Sequence, residues 1–302
     1  MNLSLHTPVL LEESIEGLNL HEGSVVFEGT VGLGGHSQMI CEKIGPMGLF
    51  VGSDLDQESL NLAKKKLDDT ECKKIFVCDN FRNIDAILEE KGIEKVDAVL
   101  LDIGLSMRQL ETASRGFSFL RDEPLLMTFY SDPFNSDYKG ITARDIINSW
   151  AEESISDIIY AYGEERYARR IAQEIIKARA LKPIETSKDL AEIVMRSVPK
   201  FRSSRTHPAT KTFQAIRIAV NDELGALREG LLNGFMRLAP NGRMAVISFH
   251  SLEDRIIKQF FKEQQKQGLV TIITKKPITP SSEELQRNSS ARSAKLRIVQ
   301  KS

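Results

Sequence analysis

The stretch from Val26 to Ser37, VFEGTVGLGGHS, constrains this chain more than any other. An apolar, β-prone run ends in the carboxylate of Glu28, and Gly32, Gly34 and Gly35 then precede a segment that reads as a helix. Only glycine lets main chain and ligand touch without an intervening Cβ, so this is how a parallel-sheet protein brings its backbone up to a nucleotide. Val25–Phe27, Leu49–Gly52, Lys74–Cys78 and Val96–Leu101 all read as strands between helical patterns, and the last three end at Asp54, Asp79 and Asp102. Asp56 is a suitable N-cap for a helix through Leu60, Ala63 and Leu67. The pattern predicts an α/β fold whose mostly parallel sheet carries polar groups along its carboxyl edge, where open α/β sheets bind ligands.

The ligand class is less tightly bounded. Gly32 and Gly34 fit the dinucleotide register, but its third glycine position holds Ser37. Asp54 follows the glycines by about twenty residues, where an acid meets a ribose hydroxyl. A strand ending in an acid before the glycines favours S-adenosylmethionine (AdoMet), which has no pyrophosphate to seat on a helix N-terminus. NAD or another nucleotide, and a purely structural glycine turn, remain open on these residues alone.

Across 302 residues, 41 Lys and Arg nearly balance 42 Asp and Glu, so bulk charge does not point to nucleic acid. The distribution is uneven. Gln264–Ser282 and Gln286–Ser302 contain no acid but carry Lys266, Lys275, Lys276, Arg287, Arg292, Lys295, Arg297 and Lys301. Such a face either meets phosphates or is simply solvated. Cys41, Cys72 and Cys78 form no CxxC pair, which fits reduced thiols in a cytoplasm rather than a zinc site or disulfide framework. The start of the chain lacks a basic, then apolar, leader, and no run approaches membrane-spanning length. The expected location is cytoplasmic.

From about Gln109 to Thr206 no strong buried strand is read. A polar, turn-rich stretch (Ser131–Gly140) gives way to helical patterns through Ile155, Ile159 and Tyr162, then Ile171, Ile175 and Ala178. Thr186 and Asp189 form a capping-box pattern ahead of Leu190 and Val194. The α/β pattern resumes with one long amphipathic helix from Phe213 to Leu238, a turn at Asn241-Gly242, a strand Met244–Phe249, a helix capped by Ser251 and Asp254, and strands Val270–Thr274 and Leu296–Val299. The expected domains are 1–108 with 207–302, which bind the cofactor, and an inserted helical substrate-recognition domain at 109–206.

Three segments carry candidate chemistry. Asp102-Ile103-Gly104-Leu105-Ser106 places a carboxylate and a flexible turn beside the glycine loop. If the acceptor is an exocyclic amine, whose lone pair is delocalised into its ring, Asp102 holds an N–H and favours the nucleophilic form; the alternative is that Asp102 only caps its turn. His250 follows a strand end and is read as either catalytic or structural, and neither His6 nor His36 has metal-ligand spacing. No metal is expected. Lys200, Arg202, Arg205, Lys211 and Arg217 crowd the chain's exit from the insertion, either to grip an RNA backbone or as a solvated helix start.

The chain resembles the RsmH (MraW) methyltransferases over nearly its whole length. The resemblance rests on His6 to Leu11, Gly32 to Ser37, Arg115 to Phe119, Tyr162 to Arg166, His207 to Ala215 with Asn221 to Leu224, Ser248 to Arg255 and Arg292 to Arg297. It implies a class I AdoMet-dependent methyltransferase, Rossmann-like with an inserted all-helical domain. The implied reaction methylates the 4-amino group of a cytidine in the decoding region of small-subunit (16S) ribosomal RNA. It implies that Gly34, Gly35, His36, Asp54, Phe81, Asp102 and Gln109 line the AdoMet site. Small-subunit RNA or the 30S particle is the implied partner, with a homodimer left open and no membrane. Nucleophilic attack through an activated cysteine is disfavoured, because none of the three cysteines sits at an expected site edge.

The departures are specific. The family usually has Asp at Glu28, Arg at Leu33 and Leu55, and Ser at Met107. It carries Asp, Arg and Asp where this chain has Leu126, Thr128 and Tyr130. Those three lost charges motivate an alternative expectation: an AdoMet-binding, ribosome-interacting protein with weak or altered methyl transfer.

Overall fold

The computed structural model describes residues 8–105, 114–130, 140–199 and 207–302. It divides into two compact units, Met1–Gly104 with Leu224–Ser302, and Leu105–Glu223. Among the described residues, no helix is long and apolar enough to cross a membrane.

In the first unit, α1 (Leu11–Leu18) precedes β1 (Val25–Glu28), α2 (Gly35–Ile44), β2 (Leu49–Asp54), α3 (Gln57–Lys66), β3 (Lys73–Cys78), α4 (Ile84–Glu90) and β4 (Val96–Asp102). Asp56 caps α3 as expected, accepting from the N–H groups of Glu58 and Ser59. The seven described strands form one sheet in the order β3-β2-β1-β4-β5-β7-β6, with β5 at Leu238–Ser248, β6 at Val270–Ile272 and β7 at Lys295–Lys301. Strands β1 to β5 pair in parallel, and β7 runs antiparallel to β5 and β6. Successive side chains point to opposite faces. Val26, Phe50, Ala98, Leu100 and Ile247 therefore enter one core while Phe27, Val51, Val99, Leu101 and Val246 enter another. Between Val96 and Ala98 the pairing with β5 shifts register, and Asn241 there takes φ 65°. The expected Asn241-Gly242 turn is thus an irregularity within β5.

In the second unit, α5 (Ala143–Ser149), α6 (Glu152–Gly163), α7 (Ala168–Leu181), α8 (Ser187–Ser197) and α9 (Thr210–Asn221) surround their own apolar core. Thr186 caps α8 through the N–H of Asp189, 3.2 Å away. Two expectations change here. The single long helix is broken into α9 and α10 (Glu223–Arg237), because Asp222 takes a left-handed conformation at φ 46° even though the apolar periodicity continues past it. The chain returns to the sheet unit at Leu224 rather than 207, and leaves it after Gly104 rather than 108. The reason is burial: Phe213, Ala215 and Ile216 of α9 lie in the second unit's core.

Candidate cofactor and methyl-transfer site

The site lies in the first unit, where β1, β2 and β4 end. Gly34 caps α2 at φ 74°, a left-handed turn that favours glycine. Its neighbour Gly35 is fixed by a close approach: a Cβ there would come within 2.2 Å of Pro8 Cγ. Pro8 therefore packs directly on the glycine turn. Glu28, fully buried at the end of β1, accepts from Ser37 Oγ on α2. Burial pushes its carboxyl well above the usual range, the Ser37 hydrogen bond opposes this, and the charges of Asp102 and Asp54 add to it.

Asp54 closes the turn from β2. Its Oδ2 accepts from Gly32 N–H at 2.8 Å and its Oδ1 from Asp56 N–H at 2.9 Å. Burial raises it to about 6, although these N–H donors favour the charged form. Both oxygens keep lone pairs that a ribose diol would use. Phe81, after β3, is held by a short 3-10 turn that Asn80 caps through Arg82 N–H. Asp79 accepts from Asn80 N–H and from Asn83 Nδ2, so this strand-end acid stabilises the turn carrying Phe81. The ring lies against α10, where a Cβ on Gly230 would come within 2.5 Å of Phe81 Cδ2.

Asp102 ends β4. Its backbone N–H donates to Thr30 Oγ1 at 2.7 Å, which ties β4 to the glycine loop. Its Oδ2 lies 3.9 Å from His36 Nδ1, while Oδ1 is buried and has no hydrogen-bond partner among the described residues. Burial, and secondarily the charge of Glu253, pushes this carboxyl up to about 7. A buried carboxylate oxygen left unsatisfied costs free energy unless a ligand donor completes it.

His250 has a defined local role. It is the N-cap of α11 (Ser251–Lys266), with Nδ1 accepting from Glu253 N–H at 3.3 Å while Glu253 Oε2 accepts from the N–H groups of His250 and Phe249. The cap is thus His250 with Glu253, not Ser251 with Asp254. Asp254 instead binds Arg297 at 2.7 Å and Lys295 at 3.3 Å on β7.

The structure gathers Gly34, Gly35, His36, Asp54, Phe81 and Asp102 in the first unit. Gln109, Met107, Lys200, Arg202, Arg205 and His6 lie outside the described residues. Thr30, Pro8 and Val9 support the site without having been named as site residues, although Pro8 and Val9 lie in a motif that carries the resemblance, because hydrogen bonds and packing between loops leave no periodic trace. Two basic expectations are redirected. Arg217 pairs with Glu223 through two hydrogen bonds of 2.7 and 2.9 Å, and Lys211 donates to the carbonyl of Glu164. Of the C-terminal bases, Lys301 donates to the carbonyls of Phe235 and Leu238, whereas Lys275, Lys276, Arg287 and Arg292 are exposed.

A parallel sheet in this order with a reversed β7, a glycine turn after β1 and acids ending β2 and β4 define a class I methyltransferase fold. Asp102 Oδ1, without a hydrogen-bond partner among the described residues, the spare lone pairs of Asp54 and the open space at Gly32 fit AdoMet. A family model described as the MraW methylase family matches residues 3–302. The "Ribosomal RNA small subunit methyltransferase H" of Clostridium botulinum (strain Kyoto / Type A2) is 43% identical over 311 residues, covering 98% of each chain. Proteins of the same name from Finegoldia magna and Heliobacterium modesticaldum are 42% and 45% identical, each match again covering 98% of both chains. The chain belongs to the MraW methylase family.

Proposed function

We propose that this protein transfers a methyl group from AdoMet to the exocyclic 4-amino group of a cytidine in the decoding region of 16S ribosomal RNA. The relatives' shared name supports the small-subunit RNA substrate. The observation that carries the amine chemistry is Asp102 Oδ1 at the end of β4, buried and without a hydrogen-bond partner among the described residues. Bound AdoMet supplies an electrophilic methyl on a sulfonium; Gly34, Gly35, Asp54 and Phe81 would hold it. Asp102 accepts an amine N–H, which localises the nitrogen lone pair and orients it for in-line attack. Thr30 fixes the backbone of Asp102 during this. His250 acts from the start of α11 as a positioning group, through Glu253, rather than on the substrate. The second unit is read as the substrate-recognition part. The deciding experiment incubates 30S particles lacking the mark with labelled AdoMet and resolves digested nucleosides chromatographically. Label in N4-methylated cytidine is expected; label in another nucleoside, or none, overturns the reading.

The second reading, a binding protein with weak transfer, draws on Leu126 and Thr128, which are buried where the family carries charges. It predicts AdoMet binding of ordinary strength with turnover far below that of a relative carrying those charges.

A further inference from the structure

The two ring nitrogens of His36 face different partners. Nε2 lies 3.1 Å from the carbonyl oxygen of Val9, which only accepts, so Nε2 carries a hydrogen in either charge state of the ring. That leaves Nδ1 as the nitrogen that gains or loses a proton, and it points towards Asp102 Oδ2 at 3.9 Å. The ring is buried at the first turn of α2, so it cannot turn without losing Val9. The other oxygen of Asp102 is the unpartnered one. The chain has therefore aimed a titratable nitrogen at one oxygen of a carboxylate whose other oxygen no described side chain or backbone group engages.

We propose that His36 is a positioning residue that, when protonated at Nδ1, pairs as a cation with Asp102 across 3.9 Å, keeping Asp102 Oδ1 in its proton-accepting form for the amine of the methyl acceptor. This rests on the reading of Asp102 given above. Among the described residues, the titratable groups facing Asp102 are Glu253 on α11, Glu28 at the end of β1 and His36 on α2. The two acids oppose ionisation of Asp102, and a proton on His36 Nδ1 supports it. Transfer would form the nitrogen–methyl bond as the sulfur–methyl bond breaks with its electron pair left on sulfur, so the sulfonium becomes a neutral thioether and the nitrogen bears the positive charge and one surplus proton. That proton leaves to Asp102 Oδ1. The pair then holds two protons, returns one to water and regains its starting state, so atoms and charge balance.

His36→Gln tests this, because the amide nitrogen still reaches the Val9 carbonyl while the titratable partner is lost. Infrared difference titration of the Asp102 carboxyl, referenced to Asp102→Asn and recorded without RNA or AdoMet, is expected to show its midpoint rising by about one pH unit. With saturating AdoMet and 30S particles, the acid limb of the kcat profile is expected to move by the same amount. That gives roughly tenfold loss near pH 6 and recovery near pH 9. Calorimetric AdoMet affinity is measured alongside, because His36 is also expected to line the AdoMet site and a change in affinity alone would not move either midpoint. An unmoved infrared midpoint, or a loss equal at every pH, overturns the proposal, and a large affinity loss with neither midpoint moving makes His36 a cofactor ligand only. If the wild-type protein methylates nothing, the infrared result alone decides: a shifted midpoint keeps the pair and removes the substrate reading instead.

Discussion

Asn221 grips the backbone of Phe129: its Oδ1 accepts the Phe129 N–H at 2.8 Å, while its Nδ2 donates to the carbonyl of Met127, also at 2.8 Å. Both residues belong to the second unit. The side chain closes α9 just before Asp222 turns left-handed, and it holds in place the segment from Met127 to Phe129. Arg115 reinforces the hold, donating to the carbonyls of Phe129 and Tyr130. Leu126 and Thr128 are buried, whereas Tyr130 is half exposed. Leu126, Thr128 and Tyr130 are thus not equivalent positions on an open surface.

Placing an acid at Leu126 is therefore expected to harm the fold. Leu126→Asp places a carboxylate at a site only 6% exposed. Urea unfolding should report a loss of roughly 2–4 kcal/mol, the range for an unpaired buried polar group. Tyr130→Asp, at 49% exposure, should stay within about 0.5 kcal/mol of wild type. Equal effects at the two positions would show that burial does not set the outcome.

Arg217 offers a contrast between structural and RNA-binding charge. It meets Glu223 in a two-pronged pair, with side-chain exposures of 14% and 3%. Arg217→Gln leaves a buried carboxylate short of its partner and is expected to cost roughly 2–4 kcal/mol. Its effect on RNA affinity should not depend on salt. A phosphate contact would instead lower the slope of log affinity against log salt by about one. A binding series from low to high salt distinguishes the two.

Much of the sheet unit was legible because its signals are local. Strand ends at Asp54 and Asp102, the Asp56 cap and the left-handed glycine turn each follow from a few adjacent residues. The break at Asp222 was not legible, since apolar spacing runs on from Ile216 through Leu227 and only the backbone turn interrupts it. Nor could spacing show that Lys295, Arg297 and Lys301 would be consumed by Asp254 and backbone carbonyls. Thr30 and Val9 reach the site through contacts far apart in sequence, with the Thr30 hydroxyl meeting a residue at a separation of 72. Such contacts require the folded chain.

Gly230 on α10 is expected to tune cofactor affinity without touching the cofactor. A Cβ there would stand 2.5 Å from the Phe81 ring, so Gly230→Ala must displace the ring or the helix. Overpacking of this kind costs roughly 1–3 kcal/mol. If Phe81 packs on adenine, AdoMet affinity measured by calorimetry should fall about tenfold. An unchanged affinity would place the adenine elsewhere.

The Asp102 carboxyl makes stability depend on pH in a defined direction. It titrates at about 7 in the folded chain against an ordinary value of 3.8. Between those values the folded state holds a proton that the unfolded state has released, so stability falls as pH rises through the window and the loss is complete above about 7. Asp102→Asn does not titrate and escapes this loss. Every tenfold difference in proton affinity between the folded and unfolded chain is worth about 1.4 kcal/mol. Because the side chain keeps 20% exposure, the full figure is reduced. Relative to wild type, the variant should therefore gain about 2–4 kcal/mol in denaturant unfolding between roughly pH 4 and pH 8 while losing methyl transfer. A stability difference that stays flat across that range would mean that Asp102 ionises as an ordinary surface acid. Its unpartnered oxygen would then carry no stored cost for the substrate amine to relieve.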